Sequence, residues 1–362
     1  MNALFDVRSA AVRRQILAMV EKRSMAEILP THTPALFDAA VKRAEAALRA
    51  GELVALPTET VYGLAANALD ARAVEGIFRV KGRPARNPVI VHVADVDMAR
   101  RCTAAWPPLA DRLARAFWPG PLTLVLPRSF EIPDVVTAGG ATVGVRRPNH
   151  PLIQAVIRAC GFPLAAPSAN PSNQLSPTNP RHVARSLGDK IHLIVDGGQS
   201  QVGVESTVLD LSVTPPRILR PGMIHEESLM AVAGELVDLE NVTTGAGRLR
   251  SPGLLPRHYA PRATLKILTW RDDQDLQRQL SASGHLPATI HVIAHTRIPS
   301  TPRVGQVSVI PHDPDAFARA IYAELHRCDE EGAELIVVES VPGAIEWRAV
   351  ADRLARATGG ER

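Results

Sequence analysis

Lys81-Gly82-Arg83-Pro84-Ala85-Arg86-Asn87-Pro88 runs directly into Val89-Ile90-Val91-His92-Val93, and the reading of this stretch decides the fold. Three cations fall within six residues, with Gly82 and Pro84 placed to keep them out of a helix. Pro88 drives Asn87 toward extended backbone, and the β-branched run behind it predicts a buried strand over 89–93. Charge held at the mouth of a sheet, rather than along a helix face, suits an anionic ligand. A solvated surface loop has the same composition. His92 interrupts the apolar run, where a satisfied core histidine is the commoner arrangement.

Working outward toward the N-terminus, a helix is predicted over 71–79. Before it, the buried strand 53–56 leads into Pro57-Thr58-Glu59-Thr60-Val61-Tyr62-Gly63-Leu64. Small hydroxyls, a carboxylate and a phenol crowd this strand end, which is where open α/β sheets bind ligands, although Thr and Glu there also act as caps. Thr33-Pro34 reads as N-cap and first residue of a helix with Leu36, Ala40, Val41, Ala44 and Leu48 on one face, stopped by Gly51. Residues 1–24 form a basic, weakly amphipathic helix or a loose tail. Asp6 and Glu21 count against a mitochondrial presequence, and Met25 is an alternative start.

Toward the C-terminus the pattern repeats. The rigid turn Trp118-Pro119-Gly120-Pro121 precedes a strand over 122–126. The strand from Thr142 ends in Arg146-Arg147-Pro148, and a helix over 151–161 leads to a strand over 163–166. The loop from Pro167 to Thr178 is almost all small, polar or proline, and serves either as punctuation or as a hydrogen-bonding wall. A helix over 180–188 and a strand over 193–195 follow. Asp196-Gly197-Gly198 turns toward Glu205-Ser206-Thr207 and a strand over 206–211, and the strand 217–219 runs into Arg220-Pro221-Gly222. From about Glu226 to Pro261 periodicity is lost, which reads as an ordered linker. The tail then alternates strands (265–268, 289–294, 306–310, 335–338) with helices (273–281, 314–331, 345–357), the signature of a small doubly wound α/β domain.

A chain of 362 residues with 46% hydrophobic and 22% charged residues is a soluble composition that splits into two domains. Aromatics at 4% disfavour a base-stacking platform, and a net charge of +4 is compatible with nucleotide or weak RNA contacts without being diagnostic. Cys102, Cys160 and Cys328 are odd in number, far apart and without a CxxC pair, which fits a reducing, cytoplasmic setting. No apolar run approaches membrane-spanning length. Phosphate-loop, dinucleotide, zinc-protease, esterase and kinase signatures are absent. What is left is a set of cations, hydroxyls and amides without a covalent catalyst. That suits phosphoryl or nucleotidyl transfer by positioning and charge neutralisation.

Eight stretches in order, PTETVYGL (57–64), KGRPARNPVIVHV (81–93), WPGPLTLVL (118–126), VGVRRP (143–148), PSANPSNQLSPT (167–178), DGG…ESTV (196–208), ILRPG (218–222) and SPGLLPRHYAP (251–261), resemble the YrdC-like family in its long two-domain form, the L-threonylcarbamoyladenylate synthases. The resemblance implies an extension (1–30) and a YrdC-like α/β domain (31–225), a twisted mixed sheet with helices around a concave basic cleft. It also implies a linker or lid (226–261) and a Rossmann-like α/β domain (262–362). The implied reaction joins L-threonine, bicarbonate and ATP into threonylcarbamoyl-AMP and pyrophosphate, which supplies transferase proteins that modify adenosine 37 of tRNAs reading codons that begin with A.

By the same resemblance, Lys81 and Arg83 are the catalytic cations, and Thr60, His92, Arg146, Ser168 and Ser206 contact threonine. Arg83, Asn87, Thr142, Asn170, Thr178, Arg220, Ser251, His258 and Tyr259 hold ATP, with Mg²⁺ bound mainly by phosphates and water. Alternatives are a non-catalytic RNA-binding module, a carbamoyl-transfer module (whose zinc-finger-like cysteine pairs are missing here) and serine in place of threonine.

Overall fold

In the computed structural model, which describes residues 25–237, 257–300 and 303–359, the helix expected over 71–79 runs to Lys81. Gly82 ends it in left-handed backbone (φ 61°), where its N–H reaches back to the Arg79 and Phe78 carbonyls. Lys81 therefore sits in a last helical turn, a correction to the reading of it as a loop cation, and only Arg83 and Arg86 lie beyond the cap. The strand expected over 89–93 keeps ladder partners only at Val91–His92. Its neighbours are tied by single bonds, Val89 N to Val136 O and Val93 N to Arg146 O. Residues 1–24, the linker residues 238–256 and, with them, Ser251 lie outside the described residues.

Ten strands of the described residues form one mixed sheet: β1 (Glu27–Leu29), β2 (Val54–Leu56), β3 (Gly63–Asn67), β4 (Val91–His92), β5 (Leu122–Pro127), β6 (Thr142–Arg146), β7 (Leu164–Ala165), β8 (Leu193–Val195), β9 (Thr207–Asp210) and β10 (Arg217–Arg220), in the order β1-β8-β2-β3-β7-β4-β6-β5-β9-β10. β4 and β6 run parallel with His92 opposite Arg146, while β9 and β10 are antiparallel. The C-terminal ends of β4, β6 and β10 and the entry to β9 thus open on the same side. Gly222 is required there by close approach: a Cβ would lie 2.3 Å from Thr207 N. Thr33 caps the helix Pro34–Arg49 as the sequence predicts.

β1, β3 and the helices Val96–Cys102, Pro108–Phe117 and Glu226–Ala233 were not anticipated. β1 falls where the sequence suggested an extension, and the last helix where it suggested linker. The three-residue edge strand β1 and the seven-residue helix Val96–Cys102 carry too little periodicity to register, whereas Pro108–Phe117 is amphipathic and was overlooked.

The second sheet is β11 (Thr264–Leu268), β12 (Ile290–Ala294), β13 (Gln306–Val309) and β14 (Leu335–Glu339), all parallel in the order β11-β14-β12-β13. Its helices are Asp273–Ser281, Pro314–Glu330 and Arg348–Ala357, the last entered through a tight turn at Ile345–Trp347. One apolar cluster joins Val61, Leu175 and Val204 of the first domain to Tyr259, Phe317, Ile321 and Tyr322 of the second. Each such side chain contributes about 1.5–3 kcal/mol when fully buried, so the domains are docked rather than tethered.

At the edge of that interface His182 (helix Pro180–Leu187) stacks on His326 (helix Pro314–Glu330), with ring centroids 3.8 Å apart. Burial, with Arg185 and the other ring nearby, pushes His182 down to about 3. Burial also pushes His326 down to about 4, against the Ser176 carbonyl and Asp329, while Arg185 and Arg262 add to the fall. Both rings are neutral in the fold, whereas an unfolded histidine titrates near 6.5. Below about pH 6.5 the unfolded chain takes up protons that the folded chain refuses, so stability is full above that pH and drains as pH falls toward 4. The expected loss is on the order of 1–2 kcal/mol per histidine at pH 5. Melting curves at pH 7 and 5 should show the fall, and His326→Gln should shrink it, leaving the same-sign contributions of His182, His92 and His258. A pH-independent midpoint would contradict this.

Candidate active site

Three arginines from separate segments of the chain line one narrow cleft. Arg83 follows the Gly82 cap, Arg146 ends β6 and Arg220 ends β10. Pro148 and Pro221 close the strands behind Arg146 and Arg220, and Pro84 keeps Arg83 out of the preceding helix, so each guanidinium is delivered at the sheet mouth. Each is buried and held by neighbours. Arg83 Nε donates to Asn87 O (3.0 Å), and its Nη2 to Asn87 Oδ1 (2.8 Å) and Pro88 O (2.5 Å). Arg220 Nε and Nη2 both donate to Ser206 O (3.0 and 2.9 Å), and Nη2 also reaches Ser206 Oγ at 3.1 Å. Arg146 Nε donates to Gly120 O at 3.3 Å, and its Nη2 lies 2.7 Å from Glu59 Oε1, a buried ion pair without hydrogen-bond alignment.

Hydroxyls and imidazoles complete the wall. Thr60 Oγ1 lies 2.9 Å from Thr58 Oγ1, and Ser206 Oγ 2.8 Å from Thr123 Oγ1. Ser168 is drawn to the cleft by a bridge to Gly63 at the start of β3. Burial, reinforced by the Arg146 charge, pushes His92 down to about 3, so the ring is neutral. His258 is likewise pushed to about 3 by burial, against the pull of Glu205, with Arg83, Lys81 and Arg220 adding to the fall. The Nδ1 atoms of both rings are buried with no hydrogen-bond partner. Unsatisfied groups of this kind, facing a cavity, point to a ligand. His258 packs edge-on against Tyr259 (4.0 Å between centroids), and its backbone N–H donates to Arg356 O, so this corner is held by the second domain.

The structure thus brings Thr60, Arg83, His92, Arg146, Ser168, Ser206, Arg220, His258 and Tyr259 to one cleft. Lys81 stands behind it: its ammonium donates to Ser168 O (2.5 Å) and to Asn170 O, and burial, with Arg83 nearby, pulls its pKa well below the usual lysine range. Asn87 serves Arg83, and Asn170 Nδ2 donates to Gln174 O. Thr178 is buried against His182. Thr142 lines a separate small hollow with Thr123 and Val125. Thr58, Gly63, Ile90 and Glu205 also line the cleft without having been singled out. For Thr58 and Glu205 the signal was their neighbours in quoted stretches. None of the three buried thiols is on the wall, and burial raises them to about 12 (Cys102), 11 (Cys160) and 12 (Cys328). Among the described residues no helix is long and apolar enough to cross a membrane.

Residues 46–222 match the model of the family described as telomere recombination, Sua5/YciO/YrdC, and residues 224–359 match that of the threonylcarbamoyl-AMP synthase C-terminal domain. A threonylcarbamoyl-AMP synthase of Pyrococcus abyssi is 39% identical over 323 residues, covering 86% of this chain and 92% of that one. One from Bacillus subtilis is 40% identical over 332 residues, covering 89% and 94%. The crystal structure of P. abyssi Sua5 complexed with L-threonine superposes with a TM-score of 0.84 at 36% identity, covering 93% of this chain and 98% of that one.

Proposed function

The chain belongs to the two-domain threonylcarbamoyl-AMP synthase family, and from that premise we propose that its arginine-lined cleft performs adenylyl transfer from ATP to a carbamate of L-threonine. The observation that carries the reading is the delivery of Arg83, Arg146 and Arg220 to one buried cleft with no cysteine on its wall. The threonine amine attacks bicarbonate with loss of water, giving a carbamate. A carbamate oxygen attacks the α-phosphorus, and pyrophosphate leaves with the β- and γ-phosphates. Every reactant is an anion or becomes one, so the site must offset their repulsion and hold them in line.

In this reading the Arg146 fork takes the threonine carboxylate, with Thr60, His92, Ser168 and Ser206 around the amine and side chain. Arg83 and Arg220 take phosphate oxygens, with Asn87, Asn170, Thr178 and Thr142 supporting the nucleotide side. Lys81 acts one step removed, by fixing the 168–170 carbonyls. His258 and Tyr259 close over the nucleotide and exclude water, and Ser251 is the further ATP contact assigned to the linker. Neutral imidazoles at His92 and His258 suit this chemistry, since each can accept or donate without adding charge.

A Mg²⁺ brought with ATP is compatible with these residues. Glu205, the carboxylate on the wall, already accepts from Ser176, Tyr322 and Arg353, and among the described residues no cluster of three or more acidic, His or Cys side chains could hold a metal ion. The ion would therefore be held by phosphate oxygens and water, where it supplies further neutralisation of the phosphates. The product's acceptors are tRNA-modification transferases, and the setting is the cytoplasm.

The test is incubation with ATP, bicarbonate and each common amino acid in turn. Pyrophosphate release that needs both threonine and bicarbonate is expected. Equal release with serine would reassign the amino acid, and none with any amino acid would overturn the reading.

A further inference from the structure

Arg353, on the last helix of the second domain, is 1% exposed, and its buried charge points back into the first domain. Its Nε donates to Glu205 Oε2 at 2.8 Å, and its Nη2 to the Glu205 carbonyl at 3.2 Å. The other Glu205 oxygen accepts from Ser176 Oγ at 2.5 Å, and Tyr322 OH donates to Oε2 at 3.2 Å. Burial alone would raise the Glu205 pKa, yet Arg353, Arg220 and the Ser176 hydroxyl hold it below the usual carboxylate range, so the pair is ionised. The Arg353 guanidinium carbon also lies 5.3 Å from the Tyr259 ring centroid, a cation–π distance. Tyr259 has φ 61°, a backbone state that a non-glycine residue holds only when its surroundings impose it.

Buried ion pairs seldom stabilise more than a well-packed apolar pair, so fold stability alone is a weak reason for this one. Its position offers a better one. Glu205 directly precedes Ser206, whose carbonyl and hydroxyl set the Arg220 guanidinium. We infer that Arg353 is a positioning residue for the cleft: it clamps the main chain and carboxylate of Glu205, and hence Ser206 and Arg220, while holding the Tyr259 ring. The cleft is then complete only with the second domain docked. This rests on the reading that the cleft takes threonine and ATP.

The experiment uses the full chain and measures pyrophosphate release, with kcat and KM for threonine and ATP, for Arg353→Met, Arg353→Lys and Tyr322→Phe, with melting curves alongside. Arg353→Met should lower kcat/KM about 30-fold per folded molecule, and Arg353→Lys, which keeps the charge but not the planar fork of donors, about 10-fold. Tyr322→Phe should cost about 3-fold, and Glu205→Gln with Arg353→Met should be little worse than Arg353→Met alone, since both act through one path. A purely structural Arg353 would lower the melting midpoint and leave kcat and both KM values of the folded protein unchanged, which would overturn the inference. If Arg353→Met does not fold, wild-type constants in Arg353→Lys and Tyr322→Phe would overturn it equally. An inactive wild-type chain would overturn the reading of the cleft and this inference together, whereas an active wild type with unaltered variants would overturn this inference alone.

Discussion

Arg83→Ala is expected to lower pyrophosphate release about 10³-fold, with the chain still folded, the scale found when one preorganised donor is removed from developing charge. Burial, with Arg220 nearby, brings the Arg83 pKa down only to about 10, so the guanidinium remains charged at neutral pH in a setting that screens it poorly. Its bonds to Asn87 and Pro88 fix it before substrate arrives, so no reorganisation is needed when phosphate binds. Removing it also strips those acceptors of their donors, so some loss of stability accompanies the loss of rate. Arg83→Lys separates the two effects, since it restores charge without the fork and should recover only part of the activity. Steady-state rates beside circular dichroism make the check. Turnover within a few-fold of wild type in Arg83→Ala would remove Arg83 from the site.

Arg146→Met should abolish measurable threonine binding, a loss of about 10²–10³-fold for a charge-assisted fork to a carboxylate. It should also destabilise the chain by about 3–5 kcal/mol, because Glu59, 2.7 Å from Arg146 and as deeply buried, is left as an unpaired charge. The two consequences come apart in a double variant. Glu59→Gln with Arg146→Met removes the stranded charge and should regain most of the stability, while threonine binding stays lost. Calorimetric titration with threonine, paired with denaturant melts, reads both. Retained threonine affinity in Arg146→Met would place the carboxylate elsewhere.

The arginines of the cleft were legible because each stands where a regular element must stop: Arg146 and Arg220 at strand ends close to Pro148 and Pro221, Arg83 just past a helix end between Gly82 and Pro84. Their convergence was not legible, because the sequence does not say that β4 lies beside β6 or that β9 returns beside β5. Lys81 was read with them, and one residue of cap geometry at Gly82 decides otherwise, turning its ammonium onto two carbonyls. Arg353 could not have been found from the sequence. Among Arg348, Arg353 and Arg356 on one short helix it looks like part of a solvated face, and its partner, Glu205, lies 148 residues earlier. The second domain's alternation was plain because its strands are short runs rich in branched apolar residues and, except between β12 and β13, are separated by amphipathic helices. Short elements such as β1 owe their existence to pairing with β8 and left no local trace.

The central claim is that the carbamate itself attacks ATP, with no adenylyl group ever carried by the protein. Exchange of labelled pyrophosphate into ATP tests it directly. Exchange is expected only when threonine and bicarbonate are both present. Exchange with ATP and the enzyme alone would reveal an adenylylated protein and contradict it.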